Sequence, residues 1–257
     1  MRIALFSDIH ANLPALEAVL QDIENQNIDF IYCLGDLVGY ATWPNEVIRE
    51  IQKRKIPTLA GNYDQGVGFA SDDCGCAYKS EADQDRGTQS INYTNSIVTP
   101  RERAYLRMLP SHIAIKYQYN NELFNILLVH GSPRKINEYL TEDRPDNSLI
   151  RLMEEYQTQI LAFGHTHKPY HKKLQVERNN EIKFYHAINI GSVGKPKDGD
   201  HRACYVVLTM DKDATLLQPE GIQVEFRRVD YDVEKTARAI EESPLPNEFA
   251  DMLRKAY

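Results

Sequence analysis

Residues 1–36 read MRIALFSDIHANLPALEAVLQDIENQNIDFIYCLGD and carry the pattern of a strand, a helix and a second strand. The apolar run at residues 2–7 predicts the first strand, and the run at residues 29–34 predicts the second. Between them, residues 14–25 repeat apolar side chains at helical spacing, with Pro14 suited to the first turn. Such a unit predicts two parallel strands joined by a right-handed crossover.

The alternation of strand and helix continues to residue 60. Residues 44–54 predict a second helix and residues 56–60 a third strand, so this part of the chain predicts an α/β fold. In sheets of this kind, the loops that follow the carboxyl ends of the strands line the ligand crevice. Polar residues in those loops are therefore candidates for a functional site. They are Asp8, His10, Asp36 and Asn62.

The rest of the chain adds an insertion and a second group of strands. Residues 65–110 predict a helical insertion, which either covers one side of the crevice or forms a connecting layer. Residues 113–129 predict a hairpin across Asn120 and Asn121. No internal repeat or linker divides residues 1–257, so one domain is expected. Further strands are predicted at residues 159–163, 183–190, 203–210 and 224–229, and further helices at residues 147–157, 232–243 and 246–255.

Composition and charge favour a soluble protein and argue against an extended nucleic-acid surface. The 257 residues have a formal net charge of −7, whereas binding a phosphate backbone needs clustered Lys and Arg. A small phosphate ester held by cations is compatible with this charge. No stretch approaches the ~20 consecutive apolar residues that span a bilayer, and no signal peptide precedes the first strand. We therefore expect a cytoplasmic protein without membrane contact.

The four cysteines do not have the spacing of a zinc ribbon or of a disulfide framework. We interpret all four, Cys33, Cys74, Cys76 and Cys204, as reduced thiols of a cytoplasmic protein. Cys74 and Cys76 form a pair that could bind a soft metal or close a strained disulfide. A coincidence within a loop is the favoured interpretation, and no function is assigned to the pair.

Five short blocks carry side chains that bind hard metal ions. Carboxylate, imidazole and amide oxygen ligands suit manganese, iron, zinc or magnesium. Taken singly, each residue has an ordinary structural explanation, such as a helix cap, a turn or a buried histidine. Their joint occurrence, with four blocks directly after apolar runs, favours a metal site. The blocks are Ser7-Asp8-Ile9-His10, Leu34-Gly35-Asp36, Ala60-Gly61-Asn62, Val129-His130-Gly131 and Phe163-Gly164-His165-Thr166-His167.

Two neighbouring cations would give these blocks hydrolytic chemistry. An aspartate can bridge two cations, and the pair can hold a shared hydroxide and neutralise the charge that grows on a phosphoryl group. Other catalytic classes lack their motifs. Ile190 replaces the first glycine of a Gly-x-Ser-x-Gly elbow around Ser192, and the phosphate-binding glycine loops of P-loop and dinucleotide-binding proteins are missing.

The blocks resemble the calcineurin-like metallophosphoesterases, whose pattern is Asp-x-His, Gly-Asp, Gly-Asn-His-Asp/Glu, a single His and Gly-His-x-His. All five blocks occur here in that order between Asp8 and His167. Residues 191–200, GSVGKPKDGD, resemble a bacterial and archaeal phosphodiesterase-like branch that is related to diadenosine tetraphosphate hydrolases. The resemblance implies a four-layer α/β/β/α sandwich in one domain, with the helical insertion at residues 65–110.

The resemblance also implies how two divalent ions would be held. Manganese is the expected metal, and iron, zinc, nickel and magnesium are alternatives because cellular supply as well as ligand type decides metal identity. Asp36 would bridge the two ions. One ion would be bound by Asp8, His10, Asp36 and His167, and the other by Asp36, Asn62, His130 and His165.

One block departs from the family pattern. Tyr63 stands where the family has a histidine that usually protonates the leaving group or contacts the phosphate, and Asp64 stands where an acid orients that histidine. A phenol, with an ordinary pKa of about 10, is a weaker proton donor at neutral pH than an imidazolium. Either Tyr63 assists in positioning the phosphate or it packs over the site.

Substrate contacts are predicted for Arg134, Lys195 and Arg202, with Lys197 as a further basic residue of the same loop, and a solvated cation is the ordinary alternative for each of them. His171 is a further source of a proton, although it is not favoured. The resemblance implies hydrolysis of a small phosphodiester or nucleotide-type substrate by a metal-bridging hydroxide. A phosphomonoester, a phosphoprotein or a dinucleoside polyphosphate is the alternative substrate. The rival from another functional class is an inactive scaffold with the same fold.

Overall fold

Two β-sheets lie face to face, and helices cover the outer face of each sheet. The computed structural model of the chain describes residues 1–76, 80–119, 122–178 and 180–257. The strands are β1 (Arg2–Phe6), β2 (Phe30–Cys33), β3 (His112–Tyr119), β4 (Glu122–Val129), β5 (Ile160–Phe163), β6 (Tyr170–Arg178), β7 (Glu181–Asn189), β8 (Ala203–Met210) and β9 (Ile222–Val229). The helices are α1 (Leu13–Glu24), α2 (Pro44–Lys53), α3 (Asn62–Gly68), α4 (Glu81–Ile97), α5 (Pro100–Met108), α6 (Asp146–Glu155), α7 (Val233–Glu241) and α8 (Glu248–Lys255).

The first sheet has the strand order β2-β1-β8-β9, and the second sheet has the order β3-β4-β5-β7-β6. β1 and β2 are parallel, as the strand–helix–strand pattern predicts, whereas β8 and β9 pair antiparallel. In the second sheet, β5 is parallel to β4 and to β7, and both edge strands are antiparallel. The loops after β1 and β5 meet where the His165 amide donates to the Asp8 carboxylate at 3.1 Å. The carboxyl ends of parallel strands from both sheets therefore share one edge.

Alternate side chains of each strand face opposite layers, which fixes the order of the four layers. In β1, Ala4 and Phe6 pack against α1, while Ile3 and Leu5 lie between the two sheets. In β5, Phe163 packs on the far side of the second sheet against α6. The order helix, sheet, sheet, helix confirms the predicted α/β/β/α fold.

The third predicted strand, residues 56–60, is wrong as an element of the sheet. Thr58 forms a single parallel bridge to Cys33, in which Cys33 donates to the Pro57 carbonyl and Leu59 donates to Cys33. Pro57 has no N–H group to extend the ladder. The next amide, that of Ala60, donates to Pro110 at the end of the insertion. The segment is extended, but it ends after one pair.

The strand β6 and the helix α3 were not predicted from the sequence. β6 adds an edge strand to the second sheet, with Leu174 and Val176 buried and the intervening residues polar. α3 begins directly at Asn62. β3 and β4 form the predicted antiparallel pair, but Asn120 and Asn121 at its turn lie outside the described residues.

The predicted insertion at residues 65–110 contains most of α3 together with α4 and α5. Ser80 caps α4 by accepting a hydrogen bond from the Asp83 amide. Asp83, Arg86 and Gly87 of α4 line the cavity over the candidate site, so the helix covers one side of the crevice. Within the described ranges, no helix combines the length and apolarity needed to cross a membrane.

His171 lies outside the cavity, in a contact between β6 and β7. Its Nε2 lies 2.9 Å from Nδ1 of His186, and the two rings stack. His186 is fully buried, and its Nε2 has no hydrogen-bond partner among the described residues. The pair packs between strands rather than facing a substrate, so it does not supply the alternative proton.

This histidine pair is expected to make the protein less stable in acid. Burial lowers the pKa of His171 to about 4 and the pKa of His186 to about 3, whereas a histidine in an unfolded chain titrates near ~6.5. As the pH falls below about 6.5, the unfolded chain takes up protons that the folded chain does not, and the free energy of unfolding falls. We expect His186→Phe to reduce this loss by about 1–2 kcal/mol between about pH 7 and pH 4, measured by urea denaturation. Exposed His201→Gln is the matched control, and an unchanged pH dependence in His186→Phe would contradict the assignment.

Candidate metal centre

The seven predicted metal ligands converge at the shared edge of the two sheets. Their order along the chain follows the strands that deliver them. Asp8 and His10 follow β1, Asp36 follows β2, Asn62 is the first residue of α3, His130 follows β4, and His165 and His167 follow β5. All seven side chains are buried.

The loops that carry these side chains adopt a backbone conformation that is uncommon for residues other than glycine. Left-handed conformations cost roughly 1 kcal/mol or more each, and they cluster at functional sites. Asp8 and His10 are held in this conformation by amide hydrogen bonds of 2.9 Å to the carbonyls of Gly35 and Asp36. The positive φ angles are 55° at Asp8, 49° at His10, 53° at Asp36, 66° at His165 and 59° at His167.

Two glycines of the sequence blocks are required by close packing. A Cβ atom on Gly61 would lie 2.1 Å from Oδ1 of Asp36, and a Cβ atom on Gly164 would lie 2.4 Å from Oδ2 of Asp8. Contacts below about 3 Å are not tolerated, and neither carboxylate is free to move in a packed interior. The glycines that precede Asn62 and His165 therefore let the two carboxylates approach the neighbouring loops.

Three of the four histidines are oriented by the same kind of hydrogen bond. In each, Nδ1 faces a backbone carbonyl, which makes Nδ1 the protonated nitrogen and leaves the lone pair of Nε2 for a ligand. This is the usual arrangement of a metal-binding histidine. The bonds join His10 to Val38 at 3.0 Å, His130 to Leu34 at 2.9 Å and His167 to Lys195 at 2.5 Å.

Asp8, His10 and His167 form the first cluster of ligand atoms. Nε2 of His167 lies 3.2 Å from Oδ1 of Asp8, and Nε2 of His10 lies 3.8 Å from the same oxygen. The two Nε2 atoms are 3.1 Å apart. Since both rings already donate through Nδ1, these nitrogens present lone pairs to each other. A cation between them resolves this contact.

Asp36, His130 and His165 form the second cluster, and Asn62 lies beside it. Nε2 of His130 is 3.3 Å from Oδ2 of Asp36 and 3.0 Å from Oδ1 of Asn62. The amide nitrogen of Asn62 faces away, toward the Cys74 carbonyl and the Cys76 sulfur. The amide oxygen of Asn62 therefore faces the cluster.

One oxygen of Asp36 lies between the two clusters. Oδ2 is 3.7 Å from Nε2 of His10 and 3.3 Å from Nε2 of His130. The other oxygen, Oδ1, accepts a hydrogen bond of 2.8 Å from the Tyr63 amide. Oδ2 is thus the atom placed to be shared.

Two buried atoms in the clusters lack hydrogen-bond partners among the described residues: Oδ1 of Asp8 and Nε2 of His165. An unpaired polar atom in a protein interior is costly unless a ligand satisfies it. Both atoms belong to residue types that bind divalent cations. These residues fit two divalent ions, as expected for a dinuclear site.

The electrostatics of the clusters also favour cations. Burial lowers the pKa of His165 to about 2, which keeps this imidazole neutral and able to ligate. Burial alone would lower the pKa of His130, but the charge of Asp36 outweighs it and raises the pKa of His130 to about 10. Burial would raise the pKa of Asp8, yet His167 and His130 hold it well below its usual range. A proton on Nε2 of His130, which a divalent ion would displace to reach the lone pair, thus stands in for the positive charge of that ion.

The residues after Asn62 occupy two different positions. Tyr63 lines the cavity, 1% exposed, with its ring centroid 5.4 Å from that of His10 and 4.8 Å from that of Tyr40. Asp64 directs both carboxylate oxygens at backbone amides, those of Leu37 at 2.8 Å and Gly61 at 2.9 Å. Asp64 therefore ties the loop after β2 to the start of α3.

Of the three predicted substrate residues, the structure brings only Lys195 to the cavity. Arg134 is 45% exposed and pairs with Glu155, and Arg202 is 43% exposed and pairs with Asp200. The structure does not bring Arg134 and Arg202 to the cavity, because nearby carboxylates hold both guanidinium groups at the surface.

A cavity of about 420 Å³ opens over the two clusters. Most of its wall is not predictable from the sequence, because those residues come from separate parts of the chain that carry no recognisable motif. The added wall residues include Tyr40, Arg86, Tyr139 and Phe249. Lys197, the further basic residue of the 191–200 loop, also lines the cavity.

Comparison with known proteins places the site in a family context. The model of the calcineurin-like phosphoesterase superfamily domain matches residues 1–213, which include all seven candidate ligands. An uncharacterized protein of Methanocaldococcus jannaschii is 33% identical over 264 residues, covering 98% of this chain and 96% of that protein. The crystal structure of a metallophosphoesterase from Sphaerobacter thermophilus is 27% identical, with a TM-score of 0.72 and full coverage of both chains. A hypothetical protein from Pyrococcus horikoshii OT3 shares the fold at 23% identity, with a TM-score of 0.78 and coverage of 100% and 98%.

We expect the metal-free protein to take up about two equivalents of manganese per chain, one for each cluster. His165→Ala should lower this to about one, because it removes a ligand from the second cluster only. Asp36→Asn should weaken both sites, because its Oδ2 faces both clusters. Calorimetric titration and elemental analysis measure the stoichiometry, with His201→Gln as a control. Two equivalents bound unchanged by His165→Ala would show that the second cluster is not a metal site.

Proposed function

We propose that this chain, which belongs to the calcineurin-like phosphoesterase superfamily, hydrolyses a small phosphate ester with two divalent metal ions held by the two clusters. The observation that carries the proposal is the position of Asp36 Oδ2, which faces His10 on one side and His130 on the other. When bound, a pair of divalent ions activates water and neutralises charge on a phosphoryl group. Manganese is our first choice for both ions.

The residues of the chain have separate tasks in this proposal. Asp8, His10 and His167 would hold one ion, and Asn62, His130 and His165 would hold the other, with Asp36 between the two clusters. Asp64 acts as a positioning residue, because it fixes the loop after β2 to the helix that presents Asn62. Lys195 brings positive charge to the same cavity, which attracts an anionic substrate.

A phosphodiester or nucleotide-type substrate suits the aromatic lining of the cavity. Aromatic rings line it beside the clusters, and Tyr139 lies with its centroid 4.2 Å from that of His165. Tyr40 and Phe249 form a second aromatic contact, with centroids 5.1 Å apart. Aromatic walls next to a phosphate site suit the organic part of such a substrate. A phosphomonoester is the alternative that an activity panel distinguishes.

A direct test measures turnover of bis(p-nitrophenyl) phosphate and p-nitrophenyl phosphate by protein loaded with manganese, magnesium, iron, zinc or nickel. We expect manganese-dependent turnover of the diester. Asp36→Asn should reduce kcat by about a thousandfold or more, equivalent to roughly 4 kcal/mol of transition-state stabilisation. If none of these metals gives turnover above Asp36→Asn, the chain is a scaffold of the same fold and the proposal fails.

Tyr63 has a role that leaving-group chemistry can resolve. We propose that its phenol contacts the phosphate or the leaving oxygen from the wall beside His10. Tyr63→Phe should then lower the rate of hydrolysis of esters with poor leaving groups by about tenfold or more, because proton donation matters most for poor leaving groups. The rate for esters with good leaving groups should change little. Tyr63→His should restore or exceed the wild-type rate on the poor substrates. Equal rates for all three proteins on every ester would leave Tyr63 with a packing role only.

A further inference from the structure

Three cationic side chains face the cavity beyond the predicted metal ligands. They come from two distant parts of the chain: Lys195 and Lys197 from the loop after β7, and Arg86 from α4. The whole chain has a net charge of −7, so three cations on the wall of a cavity that also contains Asp36 and Asp83 are a local concentration of positive charge. Such a concentration of charge attracts anions.

Lys195 is buried without a matching carboxylate. Its side chain is 4% exposed, and no carboxylate of the described residues lies within ion-pair distance of its ammonium group. The ammonium lies 4.7 Å from the centroid of the Tyr40 ring, over its face. A cation–π contact offsets only part of the cost of burying an ammonium group. An anionic ligand in the cavity would supply the missing partner.

Lys197 repeats this arrangement two residues later. Its backbone amide donates to the His167 carbonyl at 3.2 Å, which anchors the loop against the first cluster. Its ammonium group forms no ion pair with any carboxylate in the described ranges, although its side chain lines the same cavity. Both lysines are therefore held at the wall by backbone contacts of their loop rather than by surface acids.

Arg86 extends into the cavity from α4 and keeps hydrogen-bond donors that a ligand could use. Nη2 donates to Asp83 of the same helix at 2.7 Å, and a guanidinium group has five N–H donors in all. Its side chain is 24% exposed. Arg86 and the two lysines thus present ammonium and guanidinium donors to one space, next to but separate from the ligand clusters.

We propose that these three cations form a subsite for a second phosphate group, so that the substrate carries at least two phosphates. This inference rests on the proposed function: one phosphoryl group lies at the metal ions, and the subsite binds the other. Two divalent ions would more than balance the negative charges of Asp8 and Asp36, so the metal site would keep a net positive charge. A simple monoester or aryl diester would leave Lys195 and Lys197 without an anion, whereas a nucleoside diphosphate or a longer phosphate chain would satisfy them.

The test compares two ligands that differ by one phosphate group. Adenosine 5′-monophosphate and the non-hydrolysable α,β-methylene analogue of adenosine 5′-diphosphate are titrated as inhibitors of diester turnover at a fixed free manganese concentration. We expect the diphosphate analogue to inhibit wild-type protein at a concentration about tenfold or more lower, the value of one charge-assisted hydrogen bond. Lys197→Met and Arg86→Met should reduce that preference to about threefold or less, and Lys197→Arg should retain it. Exposed Lys173→Met, on β6, is the matched control.

Each outcome bears on the subsite separately from the proposed function. The same two ligands are titrated calorimetrically into the manganese-loaded proteins, which needs no turnover. A preference for the diphosphate analogue that Lys197→Met and Arg86→Met abolish supports the subsite, even if the diester is not hydrolysed. Equal affinity for the two ligands in the wild type, or a preference that both variants retain, overturns it.

Discussion

The carboxylate of Asp36 is the contact on which the rest of the site depends. One oxygen accepts the Tyr63 amide at the start of α3, and the other lies between His10 and His130. Gly61 must lack a side chain for this carboxylate to fit. Asp64 then fixes the two loops to each other through amide hydrogen bonds. A single carboxylate therefore joins a loop of the first sheet, a helix start and a histidine of the second sheet.

The fold brings the ligand-bearing loops together, and strained backbone in these loops orients the ligand side chains. Parallel strands in both sheets bring the loops after β1, β2, β4 and β5 to one edge, as the general rule for ligand sites in α/β proteins predicts. Left-handed backbone at Asp8, His10 and His167 then turns these side chains inward. Such strain persists only where the surrounding packing determines it. The sheets and their hydrophobic layers provide that packing, and stored strain of this kind is a mark of a functional site.

The ligand cluster was predictable from the sequence because every member lies beside a short, strongly patterned segment. The cavity wall was not, because Arg86, Tyr139 and Phe249 come from an insertion, a loop and a carboxyl-terminal helix without motifs. Arg202 has Asp200 two residues away in the sequence, so its surface ion pair was foreseeable, whereas Glu155, the partner of Arg134, is remote in sequence. The strand predicted at residues 56–60 does not form, because Pro57 has no N–H group to donate to a ladder.

Anomalous diffraction from crystals of the manganese-loaded protein would show whether two metal ions share Asp36. Two anomalous peaks are expected, about 3.5–4 Å apart as in other two-metal sites, with one Asp36 oxygen contacting both. One peak should lie among Asp8, His10 and His167, and the other among Asn62, His130 and His165. A single peak, or two peaks of which one has no contact with Asp36, would contradict the account.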